Sequence, residues 1–328
     1  MDTEKLFEIF SPYSNEKINN IKKCNTKFSH YTSAAVGLEI VKNGVVWLRN
    51  ASLMNDYTEI THGEKLFFDC ISTSDRENRI SSLLSDICPS LPGRLWNYIG
   101  KNLHQRIQKT YITCLSEHGD KVINKHDIID EDLYGRLSMW RAYGGNQNVA
   151  LVVKNIFLSS NTLDAGVFSI PVLYANEEKY ADNFEKIINN IEENIDKLKD
   201  INKDVVFNTI CFSIHCLIIS TKHIGFSEER EWRVIHSPTI YPSNQKSNTD
   251  GLISKDTEII NGVPQPVYKL KLPLINNGAI YPNLIDSIII GPTNYGDPIK
   301  ECFVHALGGI GVPDPESKVT ISGIPLRR

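Results

Sequence analysis

The span from Lys27 to Leu48 constrains the fold more than any other stretch of the chain. Lys27–Tyr31 reads as a short strand. Thr32 and Ser33 then offer hydroxyls to cap a helix over Ala34–Lys42, because an N-cap oxygen satisfies a backbone N–H that the helix leaves unpaired. Asn43-Gly44 supplies the left-handed residue that ends such a helix. Val45–Leu48 is apolar and β-branched and reads as a second strand. Strand, capped helix, glycine stop and strand in direct succession require a sheet with a helix packed on it.

The remainder mixes the two kinds of element without a regular β-α-β rhythm. Tyr111–Leu115, Val149–Val153, Val167–Tyr174, Trp232–His236, Val267–Leu272 and Ile285–Ile290 read as strands, and Val319–Ile324 as a last one. Residues 72–110 are helical with a break at Pro89–Gly93. Residues 176–223 are helical too, with Phe184, Ile187, Ile188, Ile191, Ile195 and Leu198 at helical spacing and a break at Ile201–Lys203. Leu137–Tyr143 is a short helix ending at Gly144-Gly145, and Ser243–Pro264 reads as loop. The class is therefore α+β. Residues 1–26 form a helical lead-in to one domain over 27–328, which carries helical insertions at about 72–110 and 176–223.

Composition closes several routes. A chain of 328 residues with 41% hydrophobic and 23% charged content suits a soluble domain with a sizeable core. A net charge of -4 gives no global pull toward nucleic acid or a bilayer. The seven cysteines are odd in number and scattered, which reads as reduced thiols in a cytoplasmic setting. The N-terminus shows no basic-then-apolar leader, and the apolar run at Ile210–Ser220 is too short to span a membrane. No phosphate-binding glycine loop, dinucleotide fingerprint or serine elbow is present. His62-Gly63-Glu64 lacks the cysteines that complete a zinc deaminase, and His215, Cys216 and His223 sit in apolar context, so no metal site is expected.

Four segments carry chemistry. In an extended Phe226–Ile235, Glu229, Glu231 and Arg233 share one face and Arg230, Trp232 and Val234 the other. Buried carboxylates are costly, and they are useful where positive charge develops. The plain alternative is an edge strand whose charges pair in solvent. Ser29–Thr32 places an imidazole and a hydroxyl at a strand end, which is also what a surface histidine beside a helix cap looks like. The polar stretch Asn50–Glu59 brings Asn55 and Asp56, as ligand contacts or as local turns. Cys114–Ser116 and Met139–Gly144 bring Ser116, Trp140, Arg141 and Tyr143, which can clamp a planar ring or a phosphate or pack a helix on the sheet.

Several of these pieces recur together. His30-Tyr31-Thr32-Ser33, Gly44 before an apolar strand, Asn55-Asp56, Cys114-x-Ser116 and Met139-Trp140-Arg141-x-Tyr143 come first. Phe226-x-x-Glu229-x-Glu231-Trp232-Arg233 and Ile288-Ile289-Ile290-Gly291-Pro292 follow. The set resembles a widespread prokaryotic family of unknown function, DUF2971, over roughly residues 27–328. More distantly, the histidine strand, the helix ending in Lys42-Asn43-Gly44 and the apolar strand after it look like the start of ADP-ribosyltransferase domains, including the DNA-modifying toxin branch.

That second resemblance implies split mixed and antiparallel sheets flanked by helices, NAD as the cofactor, and a defence or toxin-type effector. Glu231 would bond the nicotinamide-ribose 2′-hydroxyl and stabilise the oxocarbenium ion, and Glu229 would orient or deprotonate the acceptor. His30 would hold the adenosine ribose, with Tyr31 and Thr32 lining the nicotinamide pocket. Asn55, Ser116, Trp140, Arg141 and Tyr143 complete the implied contacts. Glu231 and His30 should then open into one cleft, and if they lie on opposite sides of the sheet the transferase reading fails. The implied acceptor is a macromolecule, RNA or DNA ahead of protein, with an inhibitory antitoxin as a possible partner. Arg233 stands close enough to neutralise Glu231 and make the pair structural. Two other readings remain open: a nucleotide-binding sensor without turnover, and a metal-dependent nuclease using Asp56, Glu59 and Glu229.

Overall fold

Ser33 accepts a hydrogen bond from the Val36 N–H and starts the helix Ala34–Asn43, which Gly44 ends at φ 60°. The strands on either side of that helix belong to one large sheet. The computed structural model describes residues 3–54, 57–119, 122–124, 127–143, 145, 147–155, 166–239, 251–260, 262–272 and 281–325. In chain order its strands are β1 (Lys27–Ser33), β2 (Val45–Asn50), β3 (Tyr111–His118), β4 (Val122–Asn124), β5 (Asp127–Ile129), β6 (Asn148–Val153) and β7 (Val167–Pro171). They continue as β8 (Leu173–Tyr174), β9 (Thr221–Lys222), β10 (Glu231–His236), β11 (Ile253–Ile260), β12 (Val263–Lys271), β13 (Ile285–Ile290) and β14 (Val319–Ile321).

Ten of these form a mixed, open sheet in the order β11-β12-β2-β3-β1-β6-β13-β14, with β10 on β3 and β7 on β10. β3 takes three neighbours. One edge pairs with β10 along its length, from Glu231↔Ser116 to His236↔Tyr111. The other edge is shared. β1 holds its C-terminal end through Lys27↔His118 to Ser29↔Ser116, and β2 holds its start through Arg49↔Ile112 and Asn50↔Tyr111. Between those two stretches neither strand pairs with Thr113–Leu115, so β1 and β2 part over the middle of β3.

Strand alternation sorts the core. On one face, helices Ala34–Asn43 and Gly296–Gly309 cover Val149, Leu151, Ile288 and Ile290. Phe28 and Trp232 meet edge-to-face on that side at 5.3 Å. On the other face, Ile112, Phe168, Ile170 and Ile235 bury against a helical layer that includes Phe67, Leu84, Ile210 and Ile218. Helices Tyr57–Ile71 and Lys203–Ile219 cross closely enough there that a Cβ on Gly63 would lie 2.1 Å from the Ile218 carbonyl oxygen. Met139 and Trp140 cover Tyr31, Ala150, Val152 and Ile289 on the same side.

The lead-in is part of this core rather than an appendage. Helix Thr3–Phe10 buries Leu6, Ile9 and Phe10 in the helical layer, and Tyr13 donates from its hydroxyl to the Val172 carbonyl at 2.9 Å. Several elements go beyond the sequence reading, among them β4, β5 and helix Glu131–Tyr134. Helix Gly296–Gly309 anchors itself through Phe303, Ala306 and Leu307. β11 falls where loop was expected, because its Ser254–Thr257 side chains are exposed and polar and carry no apolar alternation.

Candidate functional site

Phe226–Ile235 is not one extended strand. His223 caps a 3-10 turn over Ile224–Glu229, its Nδ1 accepting from the Gly225 N–H at 3.1 Å. Arg230 then adopts a left-handed conformation at φ 44°, and β10 begins only at Glu231. A non-glycine residue there costs roughly 1–2 kcal/mol. Its neighbours hold it: the Arg230 carbonyl accepts from the Glu117 N–H at 2.9 Å, and its guanidinium pairs with Glu131. The turn, not strand alternation, brings Glu229 to the side of Glu231.

The two carboxylates meet on one lysine. Lys222 Nζ, at the end of β9, lies 2.6 Å from Glu229 Oε2 and 3.3 Å from Glu231 Oε2. Arg233, two residues along β10 and so on the same face, donates through Nε to Glu231 Oε1 at 2.8 Å and through Nη1 to the Ile219 carbonyl. The Tyr174 hydroxyl accepts from the Glu231 N–H at 2.7 Å. Tyr143 donates from its hydroxyl to Glu229 Oε2 at 3.2 Å. Lys222 and Glu231 are 1% and 4% exposed, so this is a charge cluster inside the protein.

The pair is electrostatically unequal. Burial pushes both carboxyls up. At Glu231 the charges of Arg233 and then Lys222 overcome it and hold the group down at about 2. At Glu229 burial prevails over Lys222 and Tyr143, and the Glu231 charge adds to it, so this carboxyl sits above its ordinary value. Both oxygens of Glu231 have cationic partners. Glu229 is the carboxylate nearer the surface, beside the turn that exposes Ile224 and Phe226. The Phe226 ring lies 4.8 Å from the Lys222 ammonium.

Two residues central to this arrangement carry no signal in the sequence reading. Lys222 is a lone cation after an apolar helix. Arg136 follows Gly135 and clamps the turn: Nη1 donates to Ser116 Oγ at 2.6 Å, the Glu228 carbonyl at 2.9 Å and the Glu229 carbonyl at 3.0 Å. Its Nη2 donates to the Glu117 carbonyl at 2.7 Å, and Nε to Glu131 at 2.9 Å. The only hint for Arg136 was the glycine before it, which takes φ 63°.

The structure brings Glu229, Glu231 and Tyr143 together, with Ser116 donating to the Glu229 carbonyl at 2.5 Å. It does not place the rest around them. Tyr31 and Trp140 are buried against each other at 4.7 Å, and the Trp140 indole donates to the Tyr134 carbonyl at 2.8 Å, so both are packing groups. Arg141 is exposed on its helix. Asn55 and Asp56 lie outside the described residues, as does the side chain of Glu59.

His30 corrects an expectation. It alternates with Phe28 and Thr32, and Phe28 packs on Trp232, so the register sets His30 and Thr32 on the opposite face from Glu231. The imidazole instead spans the gap where β1 leaves β3, Nδ1 lying 2.9 Å from the Cys114 carbonyl. A carbonyl only accepts, so Nδ1 carries the proton. Burial pulls the His30 pKa down and keeps the ring neutral.

Among the described residues no group of three or more His, Cys, Asp or Glu is placed to hold a metal ion. His215 is buried against Thr110 at 3.0 Å, and His62 stacks edge-on with His223 at 5.7 Å. Among the same residues no helix is long and apolar enough to cross a membrane. Residues 139–234 match the model of a family described as protein of unknown function, DUF2971. The DUF2971 match contains Tyr143, Lys222, Glu229, Glu231 and Arg233, whereas His30 and Arg136 lie outside it. No curated protein and no solved structure matches the chain.

Proposed function

We propose that this protein is an NAD-dependent ADP-ribosyltransferase that modifies a macromolecule, with Glu229 as the carboxylate facing the reacting atoms. The observation that carries the reading is the convergence of Glu229 and Glu231 on Lys222, beside the middle of β3 that β1 and β2 leave unpaired on one edge. Breaking the bond from ribose to nicotinamide builds positive charge on the sugar, and a fixed carboxylate in a water-poor site stabilises it. Nicotinamide leaves without needing a proton, so no general acid has to serve beside the pair.

The inequality of the two groups suits a division of labour, since acid–base roles follow environments that push two pKa values apart. Glu229, raised toward neutrality and nearer the surface, takes the acceptor proton. Glu231, saturated by Arg233 and Lys222, holds the lysine in place and through it Glu229. This reverses the ranking that the resemblance implies, and His30 on the opposite face fails the transferase in the form that the resemblance gives it, so the proposal stands on the glutamate pair alone. The saturation of Glu231 also favours a second reading, a nucleotide-binding sensor without turnover.

The test is incubation of the full chain with NAD labelled on the ADP-ribose part, together with DNA, RNA or cell lysate. The transferase releases nicotinamide and leaves label on a macromolecule. Glu229→Gln lowers that rate by roughly 10²–10³, the scale of one preorganised electrostatic contact. Binding without release supports the sensor. Full activity in Glu229→Gln, or no release with any acceptor, removes the transferase reading.

A further inference from the structure

The helical layer holds two adjoining cavities, lined by none of the residues of the charge cluster. The inner one, about 50 Å³, is walled by aromatic, isoleucine and leucine side chains, with Ser213 the exception. The outer one, about 20 Å³, shares Phe10, Ile187, Ser213 and Leu217 with it and adds the polar side chains of Ser11, Asn183 and Ser220. Its wall includes the half-buried break between helices Thr3–Phe10 and Pro12–Cys24. No charged side chain lines either cavity.

Asn183 decides what fits. It is 8% exposed, on the buried stripe of helix Glu177–Glu193 with Tyr180 and Phe184. Its polar neighbours are engaged: Ser11 donates to Ser213 Oγ, and Ser220 to the Cys216 carbonyl. Two turns further along its own helix, Asn190 gives its amide to the Glu8 and Ile9 carbonyls. The Asn183 amide has no hydrogen-bond partner among the described residues and lines the outer cavity. A buried amide that makes no bond is destabilising. Water satisfies an amide but gains nothing from the apolar inner cavity, because a buried water needs two to four polar partners. A molecule with one hydrogen-bonding end and a short alkyl chain suits both.

A water-sized group needs roughly 10–15 Å³ of such space, so the inner cavity takes about four and the outer one about two. We infer that the paired cavities bind a small neutral amphiphile, whose hydroxyl or carbonyl head bonds Asn183 and whose alkyl chain of about four or five carbons fills the inner cavity. The site is independent of the transferase reading. The experiment titrates the full chain, its isoleucine methyl groups labelled for NMR, with straight-chain alcohols from ethanol to octanol and with pentanoate. The methyl groups of Ile187, Ile191 and Ile214, which line the inner cavity, should shift saturably. Those of Ile288, Ile289 and Ile290 in β13 should not, and they report that each variant is folded.

Each added methylene should tighten binding about four-fold as far as pentanol, and octanol, too long for the cavity, should bind no better than pentanol. Pentanoate should bind roughly ten-fold more weakly or worse, since no cation meets its charge. Asn183→Leu should weaken pentanol by about 5- to 10-fold, the scale of one neutral hydrogen bond. It should also melt no lower than wild type, because an unbonded amide has gone. Leu217→Phe puts bulk where the cavities join and should abolish binding with Asn183 still in place. A wild type with no saturable shift overturns the site, as do shifts that spread to the β13 methyl groups. So does pentanol affinity unchanged in either variant, pentanoate binding as tight as pentanol, or an Asn183→Leu that melts well below wild type.

Discussion

Replacing Arg233 by methionine removes the cation 2.8 Å from Glu231 and leaves a buried carboxylate facing Lys222 alone. The folded protein holds the Glu231 carboxyl at about 2 against an ordinary 4.5, a difference on the order of 3 kcal/mol. Because the folded value is the lower one, that stability is fully present above pH 4.5 and is lost as pH falls toward 2. Mutational experience with buried pairs gives a similar figure, about 3–5 kcal/mol for removing one partner. Urea unfolding followed by circular dichroism should therefore show Arg233→Met losing about 3–5 kcal/mol at pH 7. As pH falls the unpaired carboxyl can take a proton, so the loss should be smaller near pH 4 than at pH 7. It should approach the cost of the bond to the Ile219 carbonyl, about 1 kcal/mol, only toward pH 2, where the wild-type carboxyl is protonated too. The double variant Glu231→Leu with Arg233→Met keeps the Lys222–Glu229 pair and should be more stable than Arg233→Met alone. A loss under about 1 kcal/mol at pH 7, or the same loss at both pH values, would refute the account of Glu231 as an ion held by Arg233.

Three further outcomes follow from the geometry. Arg136→Lys keeps the charge but cannot reach the Glu117, Glu228 and Glu229 carbonyls together; it should cost about 2–3 kcal/mol in urea and, on the transferase reading, lower kcat more than it raises KM. Gly63→Ala would press a methyl group on the Ile218 carbonyl, which is backbone and cannot give way; the melting temperature should drop by the equivalent of about 3 kcal/mol. Burial holds His215 at about 3 against an ordinary 6.5, so the unfolded chain takes up its proton first. Stability should fall between pH 6.5 and 3 by up to roughly 5 kcal/mol from this group, and His215→Gln should flatten that part of the pH profile.

Local order was readable wherever a residue acts on its own neighbours. Ser33 caps, Gly44 stops, Leu137–Tyr143 is a helix, and the apolar runs at Asn148–Val153 and Ile285–Ile290 are strands. What escaped the sequence depends on partners far along the chain. β3 is plainly a strand, but nothing in it says that β1, β2 and β10 will all use it. Arg230 takes its left-handed turn because Glu117 and Glu131 hold it, and that turn undoes the simple alternation expected for Glu229. Lys222 and Arg136 are single cations in ordinary contexts, and only the folded sheet carries them to the glutamates. The Glu-x-Glu spacing led to two carboxylates that do lie together, but a turn rather than strand alternation brings them there.

The clamp at Arg136 joins two things that look separate. Its backbone N–H donates to the Tyr31 hydroxyl from β1 at 2.9 Å, while its side chain holds the carbonyl of Glu229 before β10. β1 and β10 lie on opposite edges of β3. One residue thus ties the turn that carries the outer carboxylate to a strand with which β10 never pairs.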